Sequence, residues 1–328
     1  MEYKDFASDL PRQRTVAFDS VEENEETMRR LGVNQGMRQL GRGSFRAELT
    51  SRTTESVELY ADRFSTACSM FLEPPAGTVG FLFLRSATGR VLASGSLVAG
   101  DKLVVLPPGS GVDLTTPDLT GSEAWGIPVA RFDETAETLC PTLGRVRPEG
   151  MTVLEGNPAQ LQNLARAVLG LVAQDRDPES EEVSNLLANT ILWMEGGSGE
   201  SRPDGFPVAR ARRRVAKLAQ EFIEEFYRET VRTEDLCRVT GVSARVLQRC
   251  FREYFDMTCT EYLKAVRLDA AFRALVAASS ANGTVAAVAV DHGFSHLGRF
   301  SVEFRRRFGQ LPRETLALKC MPVSFRLG

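Results

Sequence analysis

The rhythm of apolar and polar positions changes along the chain. From Ser44 to Ala130 apolar residues come in short alternating or continuous runs: Phe45–Leu49, Val57–Ala61, Ala67–Leu72, Val79–Leu84, Val91–Leu92, Leu97–Val98, Leu103–Leu106 and Trp125–Ala130. Turn signals separate them, among them Glu73-Pro74-Pro75, Thr88-Gly89, Ala99-Gly100-Asp101 and Pro107-Pro108-Gly109. Many short strands at this spacing predict an antiparallel barrel or sandwich. Ahead of them, residues 1–40 read as loosely ordered, with the acidic patch Glu22–Glu26 opening a short helix that ends near Gly32.

After Pro158 the period becomes helical. Leu161, Leu164, Val168, Leu171 and Val172 form one stripe; Val183, Leu186, Leu187, Thr190, Ile191 and Met194 form a second beyond the Asp175–Pro178 break. Two amphipathic helices joined by a short loop pack antiparallel, and each needs cover for its apolar side. The cover is either the strands or the same hairpin of a second subunit. Gly196–Pro207, reading GGSGESRPDGFP, has the composition of a flexible tether. Beyond it a helix starts at Val208, with Val215, Leu218, Phe222, Ile223 and Phe226 turned inward.

The stretch from Thr233 to Gly309 carries one pattern twice. Leu236, Cys237, Gly241 and Ser243 recur 52 positions later as Val288, Ala289, Gly293 and Ser295; Leu247, Phe251 and Phe255 recur 53 positions later as Phe300, Phe304 and Phe308. Each copy reads as a helix, a turn made at a glycine, and a second helix whose start a serine can cap. In the first copy Val246, Leu247, Cys250, Phe251, Tyr254 and Phe255 predict the buried face, leaving Arg245, Gln248, Arg249 and Arg252 outside. Arginine and glutamine suit bidentate bonds to guanine and adenine edges in the major groove. Between the copies Thr258 and Glu261 predict a capping box, followed by a helix to Ala277 with Tyr262, Val266, Leu268, Phe272 and Leu275 as apolar contacts.

Charge sharpens this division. Residues 208–319 hold 20 basic and 13 acidic side chains, whereas residues 1–207 hold 19 basic and 30 acidic. A basic C-terminal part suits a phosphate backbone, and acidity elsewhere does not argue against it.

On these residues the chain resembles the AraC/XylS transcription regulators. Thr233–Phe255 and the segment GFSHLGRFSVEFRRRFGQL, Gly293–Leu311, followed by Pro312, look like that family's paired helix-turn-helix. The resemblance implies an α+β multidomain chain: an N-terminal antiparallel β-barrel of cupin-like type over 1–155, a helical hairpin over 156–195 serving dimerisation, a linker over 196–207, an all-α DNA-binding domain over 208–319, and a tail over 320–328. Carried over position by position, base-facing sites fall on Arg245, Gln248 and Arg249, with Arg252 beside them. In the second copy they fall on Leu297, Gly298, Ser301 and Val302, near His296 and Arg299. Val302 stands where many members have a basic residue, so the first copy is expected to carry most base readout, with Arg305 and Arg306 of the second on phosphates. The implied partners are double-stranded promoter DNA, RNA polymerase, a small-molecule effector and a second copy of the chain, and the implied role is an effector-controlled regulator, an activator.

Other classes lose support. The chain has two histidines, His292 and His296, both in the second helix-turn-helix, so a catalytic cupin's metal set and a Ser-His or Cys-His nucleophile lack their usual base. No catalytic residue, metal site or resident cofactor is expected. Six cysteines form no CxxC pair and read as reduced thiols. No apolar run reaches the length of a membrane span and the first residues have no signal-peptide core, which predicts a cytoplasmic protein.

Two readings of the N-terminal part stay open. Tyr60, Phe64, Phe71, Phe81, Phe83 and Trp125 are the large side chains available to line a pocket, or simply to fill a core. Arg38-Gln39-Leu40-Gly41-Arg42 has the Arg-x-x-x-Arg spacing of the cyclic-di-GMP-binding arm of PilZ domains, which it resembles; the second PilZ motif is not intact here. Arg38 and Arg42 are therefore either a phosphate fork for a cyclic-di-GMP effector or a solvated basic entry to the first strand. A regulator whose strand domain only mediates dimerisation is the further alternative.

Overall fold

The computed structural model describes residues 13–86, 88–98, 102–140, 147–196, 200–201, 207–278 and 284–317. The chain divides into two compact units, one of Met1–Met37 with Arg46–Ala209, the other of Arg38–Phe45 with Arg210–Gly328.

The first unit is built on two antiparallel sheets. The larger runs in the order β1 (Gln13–Phe18), β3 (Ala47–Thr53), β4 (Glu58–Phe64), β11 (Thr120–Pro128), β6 (Thr78–Ser86), β9 (Lys102–Leu106), β12 (Thr152–Glu155) and β13 (Glu200–Ser201). The smaller runs β2 (Asn34–Gln39), β5 (Cys68–Glu73), β10 (Val112–Thr116), β7 (Val91–Ala93) and β8 (Ser96–Val98). Among the described residues both are open, so the closed cupin-like barrel that the family resemblance implies is corrected here, and of the barrel or sandwich that strand spacing allows the closed form is not seen. Alternation fixes which side chains face inward but not which strands become neighbours, and closure needs a ladder joining the two edges.

Helices cover the larger sheet instead. Strand β11 ends at Pro128, and α2 (Val129–Leu139) follows where the sequence reads as strand up to Ala130. The two predicted amphipathic helices are α3 (Pro158–Ala173) and α4 (Ser180–Gly196). Asn157 caps α3 by accepting from the amides of Ala159 and Gln160. Their stripes, Leu161, Leu164, Val168 and Leu171 with Val183, Leu187, Ile191 and Met194, join Leu59, Phe81, Phe83, Trp125 and Ile127 in one buried core. Phe81 and Trp125 stack at 5.4 Å, with Phe132 of α2 6.0 Å from Phe81. The hairpin's apolar faces are thus spent inside one chain.

The opposite face of the larger sheet carries a row of acids. Alternation along β4 sets Glu58, Tyr60 and Asp62 on it, in register with Gly126, Ala124 and Ser122 of β11. A hollow of about 40 Å³ there is lined by Met28, Val33, Glu58, Tyr60, Asp62 and Leu72 among others. Tyr60 donates to Glu58 at 3.3 Å and Ser122 to Asp62 at 3.1 Å. Burial pushes both carboxyls up to about 7, the Tyr60 and Ser122 hydrogen bonds only partly opposing it. Residues 13–39 are more ordered than their composition suggests, holding β1, β2 and α1 (Val21–Arg30), which Ser20 caps through the amide of Glu23.

The second unit is helical: α5 (Pro207–Phe226), α6 (Thr233–Thr240), α7 (Ala244–Phe255), α8 (Cys259–Ala277), α9 (Val285–Asp291), α10 (Leu297–Phe308) and α11 (Pro312–Ala317). Two cores share α8. Tyr262 and Val266 join Ile223, Leu236, Leu247, Phe251 and Phe255, while Leu268, Ala271 and Leu275 join Val288, Ala289, Phe300 and Phe304. The capping box at Thr258 and Glu261 starts α8 as predicted. Of the proposed tether, residues 197–199 and 202–206 lie outside the described residues, as do residues 1–12 and the tail from 318.

Candidate nucleic-acid interface

Each repeat folds as a helix-turn-helix. Gly241, at φ 70°, closes α6 and lets its amide bond the carbonyl of Cys237; Gly293, at φ 79°, makes the corresponding turn after α9. Both need the left-handed backbone that glycine adopts without strain. A Cβ at Gly293 would also lie 2.9 Å from the Arg267 guanidinium, which would have to move to admit it. The extra residue of the second copy is His296, the N-cap of α10, whereas Ser243 directly precedes α7. Neither cap makes a side-chain hydrogen bond, so the serine caps expected from sequence do not form.

Helix α7 turns Leu247, Cys250, Phe251, Tyr254 and Phe255 inward, and α10 turns Phe300 and Phe304 inward. Val246, expected in the buried face, is 43% exposed at the outer start of α7. Arg245, Arg249 and Arg252 are exposed. Gln248 is half-buried, and its Oε1 has no hydrogen-bond partner. Arg249 reaches Glu253 at 2.8 Å, which raises its affinity for its proton, and Glu253 also receives Arg212 at 3.1 Å. On α10, His296, Leu297, Gly298, Arg299, Arg305 and Arg306 are exposed and Ser301 is half-buried. Val302 is 67% exposed, the most open apolar side chain of the helix. An unpartnered valine in that position has the chemistry for a thymine methyl and none for a phosphate.

The two lobes are tied across α8. Arg267 donates to the carbonyls of Tyr227 at 2.7 Å and Glu229 at 2.6 Å on one side, and of Gly293 at 3.2 Å on the other. Lys264 pairs with Glu303 of α10 at 3.2 Å. His292 lies buried against Tyr227, the rings 5.9 Å apart and 8° from parallel; burial, then Arg228, holds its pKa below the usual imidazole value. None of these ties is among the sequence-derived sites. Arginines bonded to carbonyls leave no periodic signal, but Arg307 does: it shares the face of Phe300 and Phe304, and it is buried on Asp269 at 2.8 Å.

Arg38 and Arg42 are not brought together as a fork. Arg38 belongs to β2, one strand earlier than expected, and its guanidinium lies over the Tyr262 ring between Glu224 and Asp269, 3.2 Å from each. Arg42 is exposed. Among the described residues no group of three or more His, Cys, Asp or Glu side chains is arranged to hold a metal ion, and no helix is long and apolar enough to cross a membrane.

A family model described as a helix-turn-helix domain matches residues 236–317. XylDLEGF operon transcriptional activator 2 of Pseudomonas putida is 33% identical over 31% of this chain and 64% of its own length. The XylDLEGF operon transcriptional activator of the same organism is 31% identical over 45% of this chain and 47% of its own. A crystal structure described as a probable AraC family transcriptional regulator from Rhodopseudomonas palustris is 32% identical, with 33% of this chain covering 98% of that one at a TM-score of 0.30. The chain belongs to the AraC/XylS family of transcription regulators. The matched stretches span about two thirds and about half of the two curated relatives. This AraC/XylS family is one of DNA-binding regulators rather than enzymes, and the repeat, its turns and its two cores are where the likeness falls.

Proposed function

We propose that this AraC/XylS regulator activates transcription by seating α7 and α10 in successive major grooves of promoter DNA. The observation that carries the reading is the mounting of two helix-turn-helix lobes on opposite ends of α8, each with an exposed basic second helix. Arg245, Gln248, Arg249 and Arg252 supply base and phosphate contacts from α7. From α10, Leu297, Gly298, Ser301 and Val302 approach bases, with His296, Arg299, Arg305 and Arg306 toward the backbone. The names of the two relatives, transcriptional activators, support activation; RNA polymerase is the partner that an activator would engage. Replacing Arg249 by alanine tests the base assignment: binding to the specific site weakens by about 1–3 kcal/mol more than binding to random DNA. Equal loss on both reassigns Arg249 to phosphate.

We place effector control in the first unit, in the hollow beside Glu58, Tyr60 and Asp62. At about 40 Å³ it takes one or two waters as it stands, so a metabolite enters only if its walls part. A cyclic dinucleotide on Arg38 and Arg42 requires Arg38 to leave both of its carboxylates, and nothing at these residues favours that ligand over others. Dimerisation through α3 and α4 uses their outer surface, where Leu192 is exposed, because the inner faces are buried on the sheet.

A further inference from the structure

An α-helix leaves its last four carbonyls without intrahelical partners. In α10 the carbonyl of Arg305 is met by the amide of Gly309, in the left-handed conformation at φ 75°. The other three are met from a segment more than 260 residues upstream. The amide of Gly43 donates to Arg306 at 3.1 Å, the Gln39 side chain donates to Arg307 at 2.9 Å, and the Ser44 hydroxyl donates to Phe308 at 3.3 Å. Gln39 Nε2 also bonds the carbonyls of Gly41 and Gly43 at 3.2 and 2.7 Å, which folds the segment into the shape that fits.

A buried charge cluster clamps the same place. Arg307 of α10 donates to Asp269 of α8 through Nε at 3.0 Å and Nη2 at 2.8 Å, and Nη2 also bonds the carbonyl of Gln39. Arg38 takes the other oxygen of Asp269 and bridges to Glu224 of α5, which Tyr262 holds at 2.6 Å. Asp269 therefore serves two arginines, one from each end of the sequence.

We infer that Arg38, Gln39 and Ser44 are positioning residues of the DNA-binding unit, forming a remote C-cap that sets the axis of the second reading helix. The segment belongs to that unit, although the chain enters it from β2 and leaves it into β3. The first reading helix, α7, ends at Asp256, in the left-handed conformation at φ 54°, whose amide bonds the carbonyl of Arg252 as that of Gly309 bonds Arg305 in α10. The inference rests on the reading of α10 as a DNA-contacting helix, so its test needs one arm that is independent of DNA.

Hydrogen exchange on the full chain supplies that arm. Gln39→Glu keeps the size of the side chain and removes the donor; Ser44→Ala is the mild variant should the first fail to fold. Amides of residues 300–309 should exchange about tenfold faster, as for one lost hydrogen bond, while those of residues 247–256 stay unchanged. The second arm is a hydroxyl-radical footprint on a site that full-length protein selects from random DNA. Protection should weaken about tenfold on the half bound by α10 and persist on the half bound by α7. Unchanged exchange in α10 overturns the inference, as does equal loosening of both helices or equal loss on both halves. Altered exchange in α10 with no DNA site selected upholds the cap and overturns the reading of α10.

Discussion

At the scale of residues, side chains that bridge carbonyls and carboxylates decide more than those that fill space. Arg267 has no carboxylate partner among its hydrogen bonds and instead joins three backbone oxygens from both lobes. Replacing it by alanine leaves those oxygens unmet and should cost about 2–3 kcal/mol in denaturant unfolding, hydrogen bonds to a charged donor being the stronger kind. Glu58 and Asp62 predict a pH effect of definite sign. Their folded values, about 7, lie above ordinary carboxylate values, so the folded chain holds protons that the unfolded chain releases. Stability contributed by these groups is full below about pH 4 and is lost as pH rises toward about 7. Glu58→Gln with Asp62→Asn should remove that pH dependence from thermal melts, a change of about 3–4 kcal/mol per group between about pH 4 and 7. Sequence shows little of this. Spacing marks Arg245 and Arg249 as outward and Leu247 and Phe251 as inward, but Asp269 and Gln39 meet partners far off in the chain, and Val246 at the helix start escapes the stripe that predicts it buried.

At the scale of elements, local signals carry through wherever a helix is bounded by its own chemistry. The Thr258–Glu261 box, the two stripes after Pro158 and the glycine turns at Gly241 and Gly293 are all legible, because each involves residues a few positions apart. Strand partners are not, and neither is α2, whose first residues read as the end of a strand. Thr258→Ala should cost about 1 kcal/mol, read as a lowered melting temperature. Gly309→Ala should cost more. Its φ of 75° is unfavourable for any Cβ, and that atom would sit 2.4 Å from the Ser44 hydroxyl, in the cap of α10.

For the molecule as a whole, the division of charge and the repeat are the two features that point to DNA. A net positive C-terminal part beside an acidic N-terminal one confines phosphate attraction to the unit that carries the reading helices. Arg305 and Arg306 stay exposed on α10, so Arg306→Ala should reduce the slope of log affinity against log salt by about 1, the mark of one lost phosphate contact. The central claim is that both lobes read DNA at once. Hydroxyl-radical footprinting of full-length protein on its selected site tests it most directly. Two protected patches on one face of the duplex, about one helical turn or 10 base pairs apart, are the result this account predicts. A single patch, with the deoxyriboses under α10 as open to cleavage as in free DNA, contradicts it.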